Sequence, residues 1–182
     1  MMNSTVMPDK IKPEETFPDH LFASKAIESI RYFNDHKENY FMTAVGFKMP
    51  HTALHVPFKY YDMYRNRNIV WNSLDEAGRV FPPTAPTVAW RCCAAPSFRF
   101  MNQEGALRNN REEGLEDMKQ PVSPQLYQEM MWGYAAAVTF VDKQLGRILD
   151  VLDELNLWNN LTVVLTADHG IHNGEKGLWF VL

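Results

Sequence analysis

Two stretches hold the side chains best suited to chemistry: KMPHTALH at residues 48–55, and ADHGIHNGEKGLW at residues 167–179. In the second, Asp168 sets a carboxylate beside the imidazole of His169, and such oxygen and nitrogen donors can share one divalent cation. Gly170 follows, free to take a left-handed conformation where the backbone changes direction. A hard cation takes about six donors, so this pair can fill only part of a coordination shell. In the first stretch, Lys48 offers a fixed positive charge. His51 and His55 put two imidazoles on the same loop. Each stretch alone is equally well read as an ordinary polar loop, so the elements that bring the two together decide the matter.

Residues 40–47, YFMTAVGF, form an apolar β-prone run closed by Gly46 and Pro50, and residues 161–167, LTVVLTA, form another. Both read as buried strands. Pro18-Asp19 starts a helix in which Phe22, Ala23, Ala26, Ile27, Ile30 and Phe33 recur at helical spacing to about Asn34. Ser123-Pro124 is an N-cap followed by proline at the first helical position. From there Tyr127, Met131, Tyr134, Val138, Val141, Leu145, Ile148, Leu149, Leu152 and Leu155 trace one apolar stripe, which Asn159-Asn160 ends. A strand, a long crossover helix and a strand make a βαβ unit with parallel strands in an α/β fold. Their C-terminal ends share one sheet edge, where open α/β sheets bind ligands, so the two histidine-bearing loops are predicted to converge. Residues 48–124 are irregular, broken by Pro82-Pro83, Pro86 and Pro96, and a connection of that length often carries function.

The chain has 182 residues, 46% hydrophobic, with a formal charge of −4, which is globular and long enough for a real core. With no basic footprint, nucleic acid is not an expected partner. No apolar run approaches the roughly 18 residues of a membrane span, and the N-terminus lacks a signal-peptide pattern. Cys92 and Cys93 are adjacent, a poor geometry for a bridge, and read as loop or core residues. Asn3-Ser4-Thr5 and Asn160-Leu161-Thr162 fit the glycan acceptor pattern, relevant only in a secretory compartment.

TADHGIHNGEKGLW resembles the metal-binding segment of the sulfatase family, within the alkaline-phosphatase superfamily. There a strand ends in Thr-x-Asp-His-Gly and runs into Gly-Glu-x-Gly-x-Trp. FMTAVGFKMPH with HVPFKYYDMY resembles the family's strand and Lys-Pro-His-x-Pro-Phe loop. GYAAAVTFVDKQLGRILDVLDEL is similar to its long helix, with Val-Asp-x-Gln-x-Gly-Arg intact at Val141 to Arg147. The resemblance runs from about residue 17 to 179 and is nearest in flavour to iduronate-2-sulfatase-like members. It implies a three-layer alkaline-phosphatase-like fold, here partial, and metal-assisted hydrolysis of a sulfate ester, such as that of a sulfated glycan. It also implies Ca²⁺ as cofactor, with Asp168 and His169 matching metal-site residues, and a formylglycine nucleophile made from cysteine. The loop histidine that contacts the sulfate corresponds to His51, with His55 the second choice because TALH looks inserted. Lys48, one position early, takes the place of the loop lysine. A lysosomal or secreted location is the family's implication.

The chain departs from that pattern in its nucleophile, because CCAAPSFR places Arg99 six residues after Cys93 rather than four. The family's paired metal-binding aspartates have no match, and Phe180-Val181-Leu182 stand where a lysine is expected, with Lys176 a possible substitute. The sequence therefore reads as an interior portion of a sulfatase, expected to be inactive by itself and prone to self-association through uncovered strand edges. Two other readings are a non-catalytic module that binds a sulfated ligand and a phosphodiesterase-type member of the superfamily.

Overall fold

Proline fixes where both long helices begin. In the computed structural model, which describes residues 6–9, 12–36, 40–51, 54–69, 84, 100–101, 107–108, 124–175 and 179–180, α1 spans Pro18–Asp35. The last helix spans Pro124–Glu154. Proline is suited to the first turn because its missing N–H would have no partner there. Both helices thus start where expected, and α1 ends within a residue of its expected close, although Ser123, the expected cap, lies outside the described residues. Asn156, with φ of 54°, turns the chain just past the second helix, three residues before the asparagines expected to stop it.

Before α1 come β1 (Val6–Asp9) and a 3-10 turn at Glu14–Thr16, and between the two long helices come β2 (Leu54–Pro57) and α2 (Phe58–Asp62). Two-residue strands β3 (Phe100–Met101) and β4 (Leu107–Arg108) pair antiparallel; with them counted, Pro124–Glu154 is α3. Past α3, β5 (His172–Asn173) and β6 (Trp179–Phe180) form an antiparallel ladder, whose turn passes through Gly174 at φ 101°. The left-handed turn of this region thus falls at Gly174 and not at Gly170.

Two apolar clusters hold the helices. Ala23, Ala26 and Ile30 of α1 pack on Ile148, Val151 and Leu152 of α3. The small residues keep the helices close, and the branched ones fill the contact. Phe17, Met49, Leu54, Val56 and Tyr60 close over Ala136, Ala137 and Phe140 at the other end of α3. Residues past α2 are hooked to α3 by polar contacts: Trp132 Nε1 donates to the Arg67 carbonyl at 2.7 Å, and Gln128 bonds both backbone groups of Ile69.

The expected sheet takes a different form. The parallel pair among the described residues is β1 with β2, in register Val6 to Leu54, and β2 falls in the stretch that the sequence suggested was irregular. Residues 40–47 and 161–167 join no ladder. Both line one groove of about 970 Å³ beside α3, so they flank a space instead of each other. Residues 40–48 still alternate between half-buried and exposed, the period of two that a strand shows.

Candidate functional site

The groove's floor is the apolar stripe of α3, including Val138, Val141, Leu145 and Leu149. Its two walls are the apolar runs that the sequence suggested as strands. The same groove is lined by Lys48 and His51 from the first stretch and by Asp168 and His169 from the second. The two stretches thus border one groove without sharing a ladder. His55 does not line it; it sits on β2 with its ring 5.0 Å from that of Phe17. Cys92, Cys93, Lys176 and the Asn3-Ser4-Thr5 triplet lie outside the described residues, while Asn160 is exposed.

Asp168 and His169 are arranged by their own backbone. The Asp168 carboxylate accepts the His169 N–H at 3.0 Å, and His169 Nδ1 meets the Gly170 carbonyl at 3.0 Å. His169 Nε2 lies 3.5 Å from the second Asp168 oxygen. These contacts hold two donors side by side, yet the Asp168 side chain is 86% exposed and so keeps its oxygens open to the groove. Among the described residues, no group of three or more His, Cys, Asp or Glu is gathered for a metal. A cation would need further donors. Past the pair, Glu175 accepts the Asn173 N–H at 2.7 Å and closes the turn into β5.

The opposite lip is held from beneath. Lys48 and Met49 open a turn in which the His51 N–H donates to the Lys48 carbonyl at 2.9 Å. Met49 is buried in the core cluster, which leaves Lys48 and His51 exposed on the outer side. The Lys48 and Met49 N–H groups both donate to the carboxylate of Asp19, at 2.6 and 3.1 Å. The sequence marked Asp19 only as part of a helix start; no spacing links it to a loop 29 residues on.

Sequence reasoning also missed a polar hub between α3, α1 and the 3-10 turn. The Glu14 carboxylate accepts from Tyr60 at 3.0 Å and from Gln144 at 3.0 Å, and pairs with Lys59. Burial raises this carboxyl, but the bonds from Lys59, Gln144 and Tyr60 outweigh it and hold the group below the ordinary carboxylate value. Gln144, fully buried, accepts from Arg147 at 2.8 Å, and Arg147 also donates to the His20 carbonyl and to Ser24 Oγ. The Gln and Arg of the Val141 to Arg147 motif thus tie α3 to α1. Beside them, burial first and the Arg147 charge second lower the His20 ring below its usual value, against the pull of Glu14.

A family model described as Sulfatase matches residues 2–181. Human iduronate 2-sulfatase is 29% identical over 167 residues, covering 92% of this chain and 28% of that protein. A sulfatase of Formosa agariphila is 29% identical over 168 residues, covering 88% of this chain and 27% of its own length. An arylsulfatase of Clostridium perfringens is 23% identical over 167 residues, with 92% and 29% covered. The chain spans less than a third of the length of each of these relatives. With nearly every residue inside the family match, and the Asp-His and Pro-His stretches meeting at one groove, this chain belongs to the sulfatase family.

Proposed function

We propose that the chain supplies part of a site that hydrolyses sulfate esters, with Lys48 and His51 on one lip and Asp168 and His169 on the other. The observation that carries this reading is the single groove onto which all four residues open. Cleavage of a sulfate ester gathers negative charge on the sulfuryl oxygens and on the leaving oxygen. The Lys48 ammonium is suited to stabilise the former. The His51 imidazole is suited to donate a hydrogen bond to the sulfate and a proton to the departing alkoxide. His55 is the second choice for that role, since it does not border the groove. The nucleophile is not among the residues assigned here. The substrate class we favour is a sulfated sugar, on the name of the human relative.

Sulfatases are generally metal-dependent. Asp168 and His169 would hold part of the shell of a divalent cation, Ca²⁺ in this reading, and their exposed donors fit that task, though the set is incomplete. When bound, such an ion supplies positive charge to the sulfate oxygens. Self-association belongs to the same reading. Tyr40, Met42, Val164 and Leu165 are large apolar side chains left exposed along the groove's two walls, and no ladder occupies the backbone beside them. Among the described residues no helix is long and apolar enough to cross a membrane.

Calorimetric titration of the chain with Ca²⁺ and a sulfated monosaccharide tests the proposal. Binding that weakens about tenfold or more, roughly 1.4 kcal/mol, in both His51→Ala and Asp168→Asn supports it. Binding that ignores both substitutions refutes it. Release of inorganic sulfate in the same mixture distinguishes hydrolysis from ligand binding alone.

A further inference from the structure

Asp19 is an acid in an unusual place. It is the second residue of α1, 2% exposed, and a buried carboxylate is costly unless its oxygens are satisfied. An acid in a first turn commonly caps its own helix, and its charge is favoured there by the helix dipole. Asp19 gains that dipole but spends both oxygens elsewhere. One accepts the Lys48 N–H at 2.6 Å and the other the Met49 N–H at 3.1 Å. These are charge-assisted bonds, stronger and more directional than neutral ones. They grip consecutive amides at the start of the turn that carries His51.

We propose that Asp19 is a positioning residue of the site: by holding the Lys48 and Met49 amides in its two carboxylate oxygens, it sets the height and direction of the turn that presents Lys48 and His51 to the groove. Three contacts described above constrain the turn. Asp19 fixes its first two amides, the burial of Met49 fixes its inner side, and the His51 N–H to Lys48 carbonyl bond closes it. The last two are neutral, and the third is local to the turn. Asp19 supplies the charge-assisted link from the turn to α1, which packs along α3 and so shares a support with the groove floor. A carboxylate suits the task because both acceptors sit on one rigid plane, matched to two adjacent N–H groups. Asparagine, the nearest isostere, brings one acceptor and one NH₂ that would face a backbone N–H. This inference rests on the reading of Lys48 and His51 as site residues, but its geometry is testable apart from that reading.

The experiment uses the full chain in three forms, wild type, Asp19→Asn and Asp19→Glu, with the ring nitrogens and backbone amides followed by NMR and hydrogen exchange, and inorganic sulfate with Ca²⁺ as the binding probe. In Asp19→Asn the Lys48 and Met49 amides are expected to exchange at least about tenfold faster, because an opened amide exchanges in proportion to its opening. The His51 ring signals should shift, while the α3 amides keep their protection. Asp19→Glu retains the charge with one more methylene; it should keep the fold, shift the His51 ring to a second position and restore part of the amide protection. Sulfate binding should weaken about tenfold in Asp19→Asn and less in Asp19→Glu. A His51 ring unmoved in both variants would overturn the proposal, even if thermal stability fell. Should Asp19→Asn not fold, the Asp19→Glu ring shift alone decides. If the ring moves but wild-type chain ignores sulfate, positioning by Asp19 stands and the sulfate reading of the site fails.

Discussion

The two sides of α3 differ in how completely they are satisfied. On the α1 side, most polar groups that leave water find partners: Asp19 serves two amides, Gln144 bridges Glu14 and Arg147, and Ala23, Ala26 and Ile30 meet an apolar surface. The buried His20 Nδ1 is the exception, with no hydrogen bond and a Glu14 oxygen 3.8 Å away. On the groove side, residues 40–47 and 161–167 lie outside any ladder. The Thr43 hydroxyl is shut from solvent with no hydrogen-bond partner, and Val164 is 81% exposed. Side chains able to do chemistry sit at the end of the less satisfied side, supported from the more satisfied one. Rigidity is thus supplied by one face, and the side chains proposed for chemistry are presented on the other, an arrangement that leaves them free of the core's packing demands.

The sharpest way to break this contrast is to remove a side chain from the satisfied face. Phe140 is 1% exposed, edge-on to Phe17 at 5.8 Å and tilted against Tyr60 at 5.4 Å. Phe140→Ala should cost about 3–5 kcal/mol, the transfer loss plus the cavity left between β2, α2 and α3. Denaturant melts measure it. A loss under about 1 kcal/mol would mean that this cluster is not the core of the molecule.

Glu14→Gln is a smaller disturbance at the same face. It keeps the shape of the side chain but replaces a carboxylate that accepts from Lys59, Tyr60 and Gln144 with an amide that would set its own NH₂ against donors. The expected cost is about 1–3 kcal/mol, read from the same melts.

How much of this was legible in the letters follows from what each element depends on. Both long helices are local objects: Pro18 and Pro124 mark their starts, and periodic apolar residues mark the faces that they bury. The Asp-His and Pro-His stretches could be read because residue type and order carry their chemistry, and family membership implies an alkaline-phosphatase-like α/β fold. The ladder was not legible. Apolar runs at residues 40–47 and 161–167 state a preference for strand, but a strand exists only when a partner lies alongside, and the sequence pattern names none. Pairing instead joins Val6–Asp9 to Leu54–Pro57, two segments punctuated by proline that propensity disfavours as strands. Asp19 and Glu14 escaped notice for a related reason. Their partners are 29 to 130 residues away, and an acid near a helix start looks the same whether it caps its own helix or holds a distant loop.

Acid should weaken the satisfied face by a still smaller amount, in two steps. The folded state lowers the His20 ring below its ordinary 6.5 and the Glu14 carboxyl below its ordinary 4.5. Each group therefore binds its proton less readily folded than unfolded. The stability each contributes is full above its ordinary value and drains as pH falls through the window between the unfolded and folded values. Melting temperature should be level from pH 8 to 7, decline from about 6.5 downward through His20, and decline again from about 4.5 downward through Glu14. His20→Gln should flatten the upper step and leave the lower one. A melting temperature that rises between pH 6.5 and 5 would reverse the sign argued for His20.

The smallest expected effect probes the other face. Val164→Ser alters a side chain that is mostly in solvent, so the chain alone should lose no more than about 0.5 kcal/mol. The contrast between the two faces predicts this near-silence at a position that the sequence pattern would have placed inside a sheet, where losing a buried valine costs several times more. The outcome also bears on self-association. If copies meet through residues 161–167, Val164 is buried in the assembly, and Val164→Ser should lower the melting temperature and reduce its dependence on protein concentration, because only bound copies gain from the contact. A cost above about 1 kcal/mol with no concentration dependence would show instead that Val164 is covered within a single chain, and the distinction between the two sides of α3 would be lost.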